Sequence, residues 1–224
     1  MYSIAIDGPS GAGKSTLAKR LANEFSWAYV DTGAIYRAVG LACERGDVCP
    51  TDLAAVSALL PALNVSLDYS GGSQRTLLNG QDVSDEIRRD DISKLASDVS
   101  ALSPVRAYLL DLQRDVALEN NVVMDGRDIA TIVLPEATVK IYLTATPQVR
   151  AERRRHELLL RGENRTLSQV LDAIQKRDAN DCQRAEAPLR QAEDAVLLDT
   201  TEMSLDDAFA ALLEIVKGRI SGLA

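Results

Sequence analysis

A short stretch near the start of the chain narrows its possible folds more than any other feature: Gly8-Pro9-Ser10-Gly11-Ala12-Gly13-Lys14-Ser15. It matches G-x-x-x-x-G-K-[ST] and lies between an apolar run, Tyr2 to Asp7 (YSIAID), and a helix-forming stretch from Lys14 to Phe25. Glycines let such a loop curl until several backbone N–H groups point inward at phosphate oxygens, and the helix N-terminus adds its positive dipole. Lys14 can bridge β- and γ-phosphates, and the Ser15 hydroxyl can ligate Mg²⁺. The strand–loop–helix context therefore predicts a nucleoside triphosphate site over Gly8, Pro9, Ser10, Gly11, Ala12, Gly13, Lys14, Ser15 and Thr16.

The rest of the chain alternates strand and helix patterns, which implies a parallel sheet covered by helices on both faces. Strands are expected over 28–31, 121–125, 139–144 and 195–199. Helices are expected over 32–45, with Gly46 at a favourable position past its end, over 52–60 with Thr51 as cap, and over 103–119 with proline in the first turn. Further helices are expected from Thr146-Pro147 through Arg161 and from the capping box Thr166-x-x-Gln169 to about Asp181, and Ser204-x-x-Asp207 is expected to open the C-terminal helix. One stretch breaks the alternation. Between Leu63 and Val83 the pattern is VSLDY, then Gly71-Gly72, then TLL-NG-QDV, a hairpin signal with Asn79-Gly80 at the turn. With the helices up to about Ser100 it reads as a small insertion in a single domain of 224 residues: core 1–60 and 101–224, insertion about 61–100, lid about 150–166.

Composition matters mainly for what it excludes. The formal net charge of −8 argues against broad nucleic-acid or membrane-surface binding, which needs basic patches, but leaves room for a small anionic substrate held by converging arginines. Cys43, Cys49 and Cys182 show no metal spacing and suit a reducing compartment. No apolar run reaches transmembrane length and the first residues resemble a strand rather than a basic leader, so a cytoplasmic location is expected.

Phosphoryl transfer depends on positioning and charge stabilisation, so a transferase for a small phosphorylated acceptor needs arginines beyond the loop lysine. Three segments offer them. In Asp31-Thr32-Gly33-Ala34-Ile35-Tyr36-Arg37, Thr32 is expected to cap the helix and Arg37 to reach an acceptor phosphate. In Asp125-Gly126-Arg127-Asp128, at the end of an apolar strand, Asp125 can orient Mg²⁺ and its waters and Arg127 can hold phosphate. In Arg177-Asp178-Ala179-Asn180-Asp181-Cys182-Gln183-Arg184, helical spacing is expected to align Arg177, Asp181 and Arg184, although on its own that could be an exposed ion-pair ladder.

In order along nearly the whole chain, GPSGAGKS, DTGAIYR, the hairpin-bearing insertion, VMDGRDIAT, RAERR and RDANDCQRAEAPL closely resemble the bacterial cytidylate kinases, nucleoside monophosphate kinases of the P-loop class. The resemblance implies a three-layer P-loop kinase fold with an inserted acceptor-binding subdomain containing antiparallel strands and a helical lid. It implies ATP as donor, Mg²⁺, CMP and dCMP as acceptors, and a monomer. It places Thr32, Tyr36, Arg37, Ser97, Arg106, Arg127, Asp128, Arg177, Asp181 and Arg184 around CMP. Within that set Ser97, Arg106, Asp128 and Arg184 would surround the cytosine. Cytosine offers a 4-amino donor beside N3 and O2 acceptors, and uracil reverses the polarity at position 4, so a site built for cytosine leaves a buried acceptor unpaired with UMP. The family often carries Gly-Lys-Gly-Thr where this chain has Gly13-Lys14-Ser15-Thr16; Ser15 is the expected Mg²⁺ hydroxyl, with Thr16 its minor competitor.

The basic stretch Arg150, Arg153, Arg154, Arg155 and Arg161 is by itself a solvated amphipathic helix; following a strand in a kinase of this kind, it reads as a lid. Arg153 and Arg154 are favoured for the transferring phosphate, and Lys14 and Arg127 complete the expected catalytic set. Two alternatives remain: a kinase for another monophosphate such as UMP, and a non-catalytic nucleotide-dependent switch or binding module. The second would call for a base-specifying N-K-x-D-type motif, which the sequence lacks.

Overall fold

The structure is a computed structural model, and its described residues are 1–221. The chain divides into two compact units. The larger holds Tyr2–Ala28 and the chain from Asn121 onward; the smaller is centred on Tyr29–Asn120.

In the larger unit, β1 (Ser3–Asp7), β6 (Val122–Gly126), β7 (Val139–Thr144) and β8 (Val196–Asp199) form a parallel sheet in the order β6-β1-β7-β8. Ser3 pairs with Val122 and Asp7 with Gly126; on the other side Ile4 pairs with Val139 and Asp7 with Tyr142. Ile4, Ala5 and Ile6 are wholly buried because the strand is covered on both faces, which is why its sequence is a continuous apolar run. Helix α1 (Lys14–Phe25) packs on β6 and β1, and α8 (Leu205–Ser221) packs on α1 and β7. Helices α6 (Pro147–Leu160) and α7 (Leu167–Gln183) pair around Ala151, Leu158, Val170 and Ile174. Thr166 and Gln169 form the expected capping box, and Ser204 and Asp207 bond reciprocally at the start of α8. No helix among the described residues is long and apolar enough to cross a membrane.

The smaller unit opens with β2 (Ala28–Asp31), which begins at the end of the larger unit's first segment. It then contains α2 (Thr32–Arg45), α3 (Leu53–Leu59), the antiparallel strands β3 (Val65–Asp68), β4 (Arg75–Leu78) and β5 (Gln81–Asp82), then α4 (Asp90–Val99) and α5 (Ser103–Glu119). Asn79 and Gly80 turn β4 into β5 with φ of 51° and 81°, the left-handed pair that a tight hairpin needs. Helices α2 and α4 approach closely at Gly40, where an added Cβ would meet the Ala96 nitrogen at 3.0 Å and the Leu95 Cβ at 3.1 Å. The core is apolar, built on Ile35, Leu41, Ile87, Ile92 and Leu109. This unit takes in α2, α3 and α5 as well as the stretch 61–100.

Three local expectations need correction. Asp31, not Thr32, caps α2, accepting the Ala34 N–H at 3.0 Å, while Thr32 is buried as the first helical residue. Asp52, not Thr51, caps α3, accepting from Ala54 and Ala55. Past α2 the left-handed residue is Asp47 at φ 51°, whereas Gly46 stays at −91°. In each case a short aspartate does what the neighbouring threonine or glycine was expected to do, since its carboxylate reaches nearby N–H groups and its backbone tolerates the left-handed region.

Candidate active site

The loop Gly8–Gly13 leaves the carboxyl end of β1 and closes on α1. Gly8 has φ 148°, and a Cβ there would overlap the carbonyl oxygen of Leu143 on β7, so only glycine lets the loop start against that strand. Lys14 is 5% exposed and its Nζ donates to the Pro9 carbonyl at 2.8 Å, folded back across its own loop. Burial, reinforced by the positive field of Arg127, pushes its pKa down to about 7, against the pull of Asp125. Among the described residues no carboxylate pairs directly with this ammonium, and a polyphosphate would supply a counter-anion.

Ser15 Oγ donates to Asp125 Oδ2 at 2.9 Å. A hydroxyl and a carboxylate placed together beside the loop form a hard-oxygen pair of the kind Mg²⁺ takes in triphosphate sites, where substrate phosphates and water complete the shell. The residues present fit that ion.

Two residues beyond Asp125, just past the end of β6, Arg127 Nε donates to Asp181 Oδ2 of α7 at 2.7 Å. Burial works to raise the Asp181 pKa, but Arg127, Arg177 and Arg184 hold it below the usual carboxylate range. Asp128 is buried at the start of a π-helical turn, Ile129–Val133. Asp7, at the last position of β1, accepts the N–H groups of Ile129 at 2.9 Å and Ala130 at 2.8 Å. It is 1% exposed, and burial pushes its pKa up to about 7 despite those two bonds. In sequence, the one signal of this role is that Asp7 puts a carboxylate straight after the apolar Ile4-Ala5-Ile6 at the end of the strand.

Helix α7 ends at Gln183, and Arg184 has already left helical geometry at ψ 137°, donating to the Ala187 carbonyl at 2.8 Å. The expected helical alignment therefore holds for Arg177 and Asp181 but not Arg184. Among the basic residues of α6, Arg150 reaches the loop. It is 4% exposed, and its guanidinium donates to the Ser10 carbonyl at 2.9 Å and to Asp178 at 2.6 Å. Arg153 donates to Thr200, to its hydroxyl at 3.0 Å and its carbonyl at 2.7 Å, and Arg154 pairs with Glu157 at 3.0 Å. His156 is exposed.

In the smaller unit, Arg37 pairs with Asp31 at 2.8 Å, and Gln74 on the hairpin accepts the Asp31 N–H at 2.7 Å. The Arg106 guanidinium lies 5.7 Å from the centre of the Tyr36 ring and donates to the Ser100 carbonyl. Ser97 is half-buried one turn earlier on α4, and its carbonyl accepts the Ser100 hydroxyl. Of the residues expected to act on one acceptor, Arg37 lies with Asp31, itself held by Gln74, while Tyr36 and Arg106 lie together beside the Ser100 carbonyl.

The family model for cytidylate kinase matches residues 4–218. The chain is 45% identical to a cytidylate kinase from Caldicellulosiruptor bescii over 95% of this chain and 94% of that one. It is 46% identical to those of Syntrophotalea carbinolica (96% and 92%) and Carboxydothermus hydrogenoformans (95% and 96%). Among solved structures, an uncharacterized protein from Eubacterium ventriosum shares the fold at a TM-score of 0.55 and 12% identity, covering 97% of this chain and 99% of that one. With a matching family model over almost its entire length and relatives well above 40% identity, this chain belongs to the cytidylate kinases, a family of nucleoside monophosphate kinases.

Proposed function

We propose that the protein phosphorylates CMP and dCMP, using ATP with Mg²⁺ as donor, by direct in-line transfer. The observation that carries this reading is a convergence of cations: the buried Lys14 of the loop lies in the field of the half-buried Arg127 and Arg177, and Arg127 donates to the buried Asp181 carboxylate at 2.7 Å. Burying like charges together is costly unless anions are to be placed among them.

In this reading the backbone of Gly8–Thr16 cradles the triphosphate, and Lys14 leaves the Pro9 carbonyl for the β- and γ-phosphates. Ser15 and Asp125 would hold Mg²⁺, which would neutralise phosphate charge when bound. Arg37 and Arg127 take the acceptor phosphate, each exchanging an aspartate partner, Asp31 or Asp181, for it. Asp181, freed of Arg127, is then available to accept from a ribose hydroxyl. Ser97, Arg106, Asp128 and Arg184 read the base. An oxygen of the CMP phosphate attacks the γ-phosphorus; the new P–O bond forms as the bond to the β–γ bridging oxygen breaks, and ADP leaves with that electron pair. No general base is required, because the attacking oxygen is already anionic, and Lys14, Arg127, Arg153 and Arg154 balance the charge that spreads over the transferring group. Arg153 and Arg154 would have to give up Thr200 and Glu157 to take part.

ADP formation measured with ATP·Mg²⁺ and CMP, dCMP, UMP, AMP or no acceptor tests the reading. Strong turnover with CMP and dCMP and much weaker turnover with UMP is expected. Preference for another acceptor would remove the base assignment, and acceptor-independent behaviour would favour a binding role.

A further inference from the structure

Asp178 has no part in the phosphate or base contacts outlined above, yet both of its carboxylate oxygens are engaged. Its Oδ1 accepts the Ser10 N–H at 3.3 Å, and its Oδ2 accepts from Arg150 at 2.6 Å. Arg150 in turn donates to the Ser10 carbonyl at 2.9 Å and, through Nε, to the carbonyl of Ala145 just past β7 at 2.8 Å. The peptide groups of Ser10 are thus held from both sides by one ion pair, whose side chains are only 5% and 19% exposed. The next residue, Gly11, is at φ 75°, and a Cβ there would press on the Arg150 backbone at 3.2 Å. Helices α6 and α7 meet the phosphate loop at this point.

An ion pair this deep contributes little net stability, because desolvation offsets most of its attraction. What it does fix is direction: holding Ser10 sets how the following N–H groups face a phosphate. Three residues along the same helix, Asp181 holds Arg127. A rigid turn of α7, about 5 Å long, therefore connects the donor loop to the arginine of the acceptor side.

We propose that Asp178 is a positioning residue that locks α7 to the phosphate loop, so that filling the donor loop and engaging the Arg127–Asp181 pair favour one another. This rests on the reading of Arg127 and Asp181 as acceptor-binding groups. When an acceptor phosphate draws Arg127 from Asp181, α7 shifts or stiffens, and Asp178 passes that change to Ser10 and the N–H groups after it.

The test is calorimetric titration of CMP into the full chain with Mg²⁺, in the presence and absence of β,γ-methylene-ATP. The wild type should bind CMP at least about 5-fold more tightly with the analogue present, the lower range for coupled sites. Asp178→Asn, of nearly the same shape but without the charge, should bring that ratio close to one while changing each ligand's separate affinity much less. A wild-type ratio of one, or an unchanged ratio in D178N, overturns the proposal. If D178N does not fold, hydrogen exchange of the wild type decides: CMP alone should slow exchange across 8–13, and no slowing overturns the proposal. Turnover of CMP without coupling removes only the role of Asp178, whereas failure of CMP to bind removes the acceptor reading and this inference with it.

Discussion

The two units treat charge in opposite ways. In the larger, ionisable groups sit inside: Asp7, Lys14, Asp125, Asp128, Arg150 and Asp181 are each at most 5% exposed. In the smaller, the buried core is apolar, its buried polar residues are neutral, and its ion pairs are either partly buried, as Arg37–Asp31, or at the surface, as Arg45–Glu86 and Arg89–Glu44. Both have ordinary hydrophobic cores, so stability does not demand the difference. Charge buried at a cost of desolvation supports the proposal that the larger unit handles the transferred phosphate. The smaller unit is a scaffold that presents a few arginines, Arg37 and Arg106 among them, from an apolar frame.

The sharpest way to break that comparison is Lys14→Met. Turnover should fall at least about 100-fold, the scale of losing one charge-stabilising donor, while the folded state should not weaken at neutral pH. Lys14 has a folded-state pKa near 7 against an ordinary value of 10.5, so the stability it contributes is present above about 10.5 and is lost as the pH falls to about 7. Wild-type stability relative to K14M should therefore climb between pH 7 and 10, as read by urea unfolding at each pH. A flat difference would mean that Lys14 carries no burial cost, and the contrast between the units would lose its main support.

Asp7→Ala ranks next. It strands the N–H groups of Ile129 and Ala130 in a dry site, at about 1–3 kcal/mol each, and releases the turn that follows Arg127 and Asp128. Urea unfolding should show that loss, and kcat should fall with it. Asp7 also has a pH signature of opposite sign to that of Lys14. Its folded-state pKa near 7 lies above the ordinary 3.8, so its contribution is present at low pH and lost as the pH rises through about 7. A D7A protein of unchanged stability would show that its carboxylate is not needed to hold the turn.

The same contrast decided what could be read from sequence. The secondary structure of both units was legible in its periodicities: the limits of α1, α2, α5 and β7, the capping box at Thr166 and the Asn79-Gly80 turn follow from local pattern and local chemistry. The phosphate loop was legible because its glycines and lysine are consecutive in sequence. The connections among the buried charges were not, because each joins residues far apart in the chain. Asp7 bonds to Ile129, Ser10 to Asp178, and Arg150 to both Ser10 and Asp178. Helical spacing correctly grouped Arg177 with Asp181, yet it could not foresee that α7 would end one residue short of Arg184. Nor could a count of arginines on α6 separate Arg150, whose stem points into the fold, from Arg154, which pairs with its own helix.

The smallest effect expected tests the other side of the comparison. Arg45 lies in the last turn of α2, donating to Glu86 at 2.6 Å and to Gln81 at 3.0 Å, with about a third of each ion-pair side chain in contact with water. It ties α2 to β5 and to the turn Glu86–Arg88, and it sits at the helix end where a cation is favoured. Even so, an exposed pair of this kind contributes about 0.2–1 kcal/mol, because water and salt screen it and two long side chains must be ordered to form it. Arg45→Ala should therefore lower unfolding stability only slightly, with the difference shrinking at high salt, and leave turnover of CMP unchanged. A loss as large as that of D7A, or a clear fall in kcat, would mean that the hairpin's attachment to α2 carries functional strain, and the smaller unit would then be more than a frame for its arginines.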